Sequence, residues 1–95
     1  MENECKNIDE VRENINKIDR QIVKLISERS RFVGQAAKFK KNSDDVKAPK
    51  RVEEVVKKVR GMAEEFDVSP DIVENIYRAM IDNFINYEMR KYSKE

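Results

Sequence analysis

Between Asp9 and Lys41 the chain repeats apolar residues at helical spacing for longer than a small globule can use. Ile8, Val11, Ile15, Ile18, Ile22, Leu25, Phe32, Ala36 and Phe39 follow one another largely in steps of three and four. That is the period of one face of an α-helix. The series breaks once, because the position between Leu25 and Phe32 is Arg29. Lys40 follows Ala36 and Ala37 by four and three residues and so lies beside the stripe. About 33 helical residues make a rod roughly 50 Å long. A compact globule of about 100 residues has a radius of gyration near 13 Å. Such a rod overhangs its own domain and leaves apolar seam in water. A second copy of the chain is the simplest cover, so the spacing predicts a homodimer in which the long helices pair.

The rest of the chain points the same way. Ninety-five residues make one domain at most, taken as 1–95 with an ordered core over about 8–92. Two Gly, two Pro and no strand-like alternation predict an all-α fold of three helices, one long and two shorter. Asn7 or Asp9 can cap the first helix, after a polar, frayed stretch over residues 1–7. Gly34 lies inside that helix, where it admits either a close approach or simple tolerance. Residues 42–48 read as a polar connector. Pro49 then opens a second helix to about Phe66, with an inner face of Val52, Val55, Val56, Val59, Met62, Ala63 and Phe66. Ser69 and Pro70 cap and open the third, which runs to about Tyr92. Its stripe is Val73, Ile76, Tyr77, Met80, Ile81, Phe84 and Ile85, and the next position on that face is Glu88.

Charge narrows the function classes. Charged residues make up 41% of the chain, but 20 basic against 19 acidic leave a net charge of +1. That balance lacks the basic excess of a nucleic-acid footprint. No apolar run is long enough to span a membrane, and no signal peptide is evident. With Cys5 as the only cysteine, no internal disulfide can form, which suits a reducing cytoplasm. There is no His, so the commonest general base and metal ligand is missing.

Arg29, Lys40, Arg51 and Glu88 put charge on faces where apolar residues are expected. A buried charge without a partner is expensive. Three cations and one carboxyl group do not neutralise one another, so a small anion would complete the set. Arginine suits a carboxylate in bidentate fashion, and lysine suits a single oxygen. Arg12 precedes Arg29 by 17 residues, roughly 25 Å along a helix. One small ligand cannot meet both within one chain, but antiparallel first helices would bring Arg12 of one subunit toward Arg29 of the other. Each residue also admits a plainer reading. Arg29 can snorkel from a seam boundary, and Lys40 can serve the helix dipole. Arg51 can pair with Glu53 or Glu54 on the surface, and Glu88 can face solvent near a helix end.

The run V-R-E-N-I-N-K-I-D-R-Q-I-V-K-L-I-S-E-R-S-R-F-V-G-Q-A-A-K-F-K, then A-P-K-R-V, then I-Y-R-A-M-I-D-N-F-I-N-Y-E, resembles the all-helical chorismate mutase family. The likeness covers Ile8 to about Met89. It implies an intertwined homodimer with composite sites, and conversion of chorismate to prephenate in aromatic amino acid biosynthesis without cofactor or metal. Arg12 of the partner chain and Arg29 resemble the arginines that grip the two substrate carboxylates. Lys40 resembles the lysine that bonds the ether oxygen, and Arg51 a further arginine near the site. Glu88 stands where bacterial members usually carry glutamine and fungal members glutamate, a group that donates to the same ether oxygen. Val52 replaces a glutamate that usually contacts the ring hydroxyl, Ala48 an aspartate, and Phe84 a small residue. These departures look more like the isochorismate pyruvate-lyase branch, which forms salicylate and pyruvate on the same scaffold and generally keeps an amide at the Glu88 position. An amino-substituted chorismate is a third substrate, and a mutase-like dimerisation module without activity is the non-enzymatic alternative. The chain is too short for a separate effector domain, so no feedback control is expected.

Overall fold

A computed structural model describes the backbone of residues 4–93 and the side chains of residues 4–90. Of the frayed stretch expected over residues 1–7, residues 1–3 lie outside the described residues, while Cys5, Lys6 and Asn7 are not frayed: Asn14 Nδ2 donates to Cys5 Sγ at 3.4 Å, and Lys6 and Asn7 take part in the cap of α1. The chain is all-α, as expected. Its helices are α1 (Ile8–Ala37), α2 (Ser43–Lys47), α3 (Pro49–Glu65) and α4 (Pro70–Ser93), and the described residues contain no strand. Two units result, Met1–Lys38 around α1 and Phe39–Glu95 around the other three helices.

In the first unit, Asn7 is the residue that caps α1. Its backbone is extended and its side-chain oxygen accepts the Glu10 N–H at 2.9 Å. Glu10 in turn accepts the Lys6 N–H at 2.9 Å, closing a reciprocal cap in which two otherwise orphaned donors are satisfied. No residue of α1 is buried. Its stripe from Ile8 to Phe32, leaving aside Arg29, stands 37% to 69% exposed. Gly34 has open space around it, since an added Cβ would meet nothing within 4 Å.

The helix stops four residues short of the expected Lys41. Lys38 is the C-cap, and Phe39, which continues the apolar period, is 83% exposed. The cause lies downstream. Residues 42–48 are not a plain connector but carry the one-turn helix α2. Asn42 caps it by accepting the Asp45 N–H at 2.9 Å, and Asp45 Oδ2 accepts the Lys41 N–H at 2.9 Å. The backbone of a residue committed to that cap is extended, so α1 cannot run through it. The residue that anchors α2 is Val46, 4% exposed and packed in the second unit, where α2 lies on α4.

Within the second unit α3 and α4 form an antiparallel hairpin. Its core is Val56, Val59 and Ala63 from α3 and Ile81 from α4, joined by Val46. The α3 residues are three and four apart, so they line one face. That face is narrower than expected. Met62 sits about 100° from Ala63 around the helix axis, and Phe66 is the C-cap rather than part of the helix; both are exposed. Ile76 lies about 140° from Ile81 on α4 and is exposed for the same reason.

Pro49 opens α3 at a position where a missing N–H costs nothing. Ser69 Oγ accepts the Ile72 N–H at 3.3 Å and caps α4. Between them, α3 ends in a reciprocal pair of bonds, Val68 N–H to Ala63 C=O at 2.9 Å and Asp67 N–H to Glu64 C=O at 3.3 Å. This closure needs a left-handed residue, and Asp67 supplies it with φ 61°. Glycine takes that conformation without the clash of a Cβ. Asp67→Gly should therefore raise unfolding stability by up to about 1 kcal/mol, seen as a higher urea midpoint. A lower midpoint would mean that the Asp67 side chain supports the turn in another way.

An ion network ties α3 to α4 through residues far apart in sequence. Arg60 Nη1 donates to Asp71 Oδ1 at 3.0 Å and to Glu74 Oε1 at 2.6 Å. Arg78 Nε donates to Glu74 Oε2 at 2.7 Å, and its two terminal nitrogens grip Glu53 at 2.9 and 3.0 Å. Hydrogen bonds from Arg78 hold the Glu53 carboxyl below its ordinary value of 4.5. Those from Arg78, then Arg60, do the same to Glu74. In the window below 4.5 the unfolded chain binds more protons than the folded one, so stability rises with pH there. The contribution is complete above 4.5 and is lost as pH falls through the lowered folded values. Thermal unfolding between neutral and acid pH should show this loss, and Arg78→Ala should shrink it. An unchanged acid dependence in the variant would remove the network from the account.

Candidate active site

Lys40 and Glu88 are brought together in the second unit. Lys40 lies in the link just before the α2 cap, not on α1 as its spacing suggested. Glu88 lies on α4, seven residues beyond buried Ile81 and four beyond half-buried Phe84, so all three share a face. Lys40 Nζ stands 3.5 Å from Glu88 Oε2, with side chains 23% and 14% exposed. The distance suits an ion pair but exceeds the 2.7–3.2 Å of a well-formed N–H···O bond. Glu88 Oε2 is itself buried and accepts no hydrogen bond from the described residues. A buried oxygen left this way is costly, so the pair has spare capacity to bind.

Val52 is half-buried on α3, one turn before buried Val56, and therefore on the face toward α4. Arg51 is on the surface, where its Nη1 lies 3.6 Å from Glu54 Oε1; this is the pairing its spacing admitted. Arg12 and Arg29 belong to the first unit. Arg12 is exposed in the second turn of α1, and Arg29 is half-buried near its C-terminal end. The 17 positions between them remain inside one continuous helix, so a single small anion cannot touch both on the same α1.

Chemically, an ammonium and a carboxyl group converging on one spot can stabilise an oxygen that gains negative charge. The ammonium does so as it stands, and the carboxyl does so when protonated. Among the described residues there is no cluster of three or more potential metal-ligating side chains and no helix long and apolar enough to cross a membrane.

The described residues form helices joined by short links, with a cation–carboxyl pair between the link before α2 and the last helix. Residues 11–89 match the model of one family, chorismate mutase type II, and the chain belongs to that family. All seven sequence-nominated residues, Arg12, Arg29, Lys40, Arg51, Val52, Phe84 and Glu88, fall within the matched span. The chain is also similar to the isochorismate pyruvate lyase of Pseudomonas aeruginosa, with 28% identity over 87 residues, covering 92% of this chain and 86% of the relative.

Proposed function

We propose that the protein is a chorismate mutase, converting chorismate to prephenate in a dimer whose sites draw on both chains. The observation that carries this is the Lys40–Glu88 pair, 3.5 Å apart, with a buried Glu88 oxygen that accepts no hydrogen bond. In the [3,3] rearrangement the ether C–O bond breaks while a C–C bond forms between the side-chain methylene and the ring. Three electron pairs move in one cycle, and no proton or nucleophile is consumed. Negative charge grows on the ether oxygen as its bond to the ring opens. Lys40 donates to that oxygen, and protonated Glu88 donates beside it. Arg29, with Arg12 of the partner subunit, holds the two carboxylates and selects the folded conformer that reacts. Arg51 adds positive charge at the rim. The exposed stripe of α1, none of whose residues is buried in the single chain, supports the dimer that this arrangement requires.

A carboxyl group donates only while it carries a proton, whereas an amide donates always. Glu88→Gln should therefore retain activity, and a folded but inactive Glu88→Gln enzyme would count against a donating side chain at this position.

The second reading is isochorismate pyruvate lyase. It is favoured by the similarity to the Pseudomonas aeruginosa lyase and by Val52 in place of a ring-contacting carboxylate. Incubation of the protein with chorismate and isochorismate separately, followed by product identification, decides between them. Prephenate from chorismate is expected. Salicylate and pyruvate from isochorismate, with chorismate untouched, would establish the lyase instead.

A further inference from the structure

Lys40 sits in the link between α1 and α2. The preceding helix has ended at Ala37, and the neighbouring Phe39 side chain stands in solvent. The next fixed point is one residue downstream, where Asp45 Oδ2 takes the Lys41 N–H at 2.9 Å. Asp45 is itself fixed twice. Its own N–H is bound by Asn42 Oδ1 at 2.9 Å, and the next residue, Val46, is buried on the unit that carries Glu88. The Val46 N–H also returns to the Asn42 carbonyl at 3.3 Å. A five-residue helix does not persist unaided. Held by its cap and by Val46, α2 makes a rigid peg, and the Lys41 bond ties the backbone beside Lys40 to it.

We propose that Asp45 is a positioning residue for Lys40: its clamp on the Lys41 N–H, anchored through Asn42 and Val46, sets the ammonium opposite Glu88. This deepens the site described above and, for its catalytic consequence, rests on the proposed rearrangement chemistry. The same reciprocal cap is made by Asn7, Glu10 and Lys6 at the start of α1. What differs at Asp45 is the neighbour, a lysine that must meet a carboxyl group across a gap of 3.5 Å. Displacements of about an ångström at a reacting group can change rates by up to two orders of magnitude.

The test is a double-mutant cycle with kinetics and one spectroscopic readout. Asp45→Ala should lower kcat roughly tenfold with KM changed less than about twofold. Asp45→Asn, which keeps an acceptor oxygen, should restore most of the rate. In a Lys40→Ala background, Asp45→Ala should cost nothing further, because the group it positions is gone. Equal losses in the two backgrounds, or no rescue by asparagine, would overturn the proposal and leave Asp45 a helix cap alone. The ¹³Cε resonance of Lys40 provides a reading independent of turnover. It should respond to Glu88→Gln in the otherwise native protein and lose that response in Asp45→Ala; a response preserved in Asp45→Ala contradicts the clamp. Should neither chorismate nor isochorismate be turned over, the proposed chemistry fails while this resonance still judges the positioning.

Discussion

Lys40→Ala should lower kcat on chorismate by roughly 10²- to 10³-fold, the usual cost of deleting one donor to a developing oxyanion. KM should move far less, because the arginines are assigned the carboxylates. The fold should survive, since the core is Val46, Val56, Val59, Ala63 and Ile81, none of which depends on the Lys40 side chain. The charge that grows on the ether oxygen is small in bound substrate and large at the transition state. A donor aimed at it therefore acts on kcat. Lys40→Arg is not a conservative rescue, because the planar fork of arginine cannot reproduce a point contact 3.5 Å from Glu88. Steady-state kinetics with circular dichroism checks both statements. A Lys40→Ala enzyme with native kcat and a raised KM would reassign Lys40 to simple substrate binding.

Placing charge on the α1 stripe should dissolve the proposed dimer and the activity together. Ile18 and Ile22 are on neighbouring turns of one face and are both about half exposed in the single chain. Fully burying an isoleucine stabilises by about 1.5–3 kcal/mol, and burying an unpaired carboxylate costs at least as much. Ile18→Asp with Ile22→Asp should therefore weaken association by several orders of magnitude. Sedimentation should shift from dimer to monomer, and kcat/KM should fall in step with the monomer fraction. The second unit carries its own core, so its helical signal should persist. A fully active monomer would remove the shared site from the account.

Much of this was legible because the strongest sequence signals are local. Asn7, Pro49 and the Ser69–Pro70 pair mark the true helix starts, since each acts through bonds to residues within one turn. The core of the hairpin followed from the three-and-four spacing of Val56, Val59 and Ala63. The same spacing misled at the end of α1. Phe39 keeps the period but belongs to the link, because the Asn42 cap fixes an extended backbone just beyond it. The polar run N-S-D-D reads as loop by composition, yet its Asn42 and Asp45 are three apart, the spacing of a reciprocal cap. Met62, Phe66 and Ile76 are apolar at plausible positions, but Met62 and Ile76 lie well around the helix from the buried residues and Phe66 is already the C-cap of α3, so all three are exposed in the single chain. The Arg60–Glu74 and Arg78–Glu53 links were invisible for a different reason: their members meet only once the hairpin has formed, whereas Glu74 and Arg78 are one turn apart on α4. Of the site, Lys40 and Glu88 are legible as charges on apolar faces, but spacing alone does not show that a residue of the link before α2 meets one on α4.

Whether each site draws its two arginines from different chains can be tested by mixing two inactive variants. Arg12→Ala and Arg29→Ala are each expected to be nearly inactive as homodimers. Unfolded together and refolded as an equal mixture, they should form mixed dimers in about half of cases. In each mixed dimer one site lacks both arginines and the other has both, so the mixture should recover roughly a quarter of wild-type activity. If Arg12 and Arg29 served the same site from one chain, or if no dimer formed, the mixture would stay as inactive as its parents, and the shared-site account would be wrong.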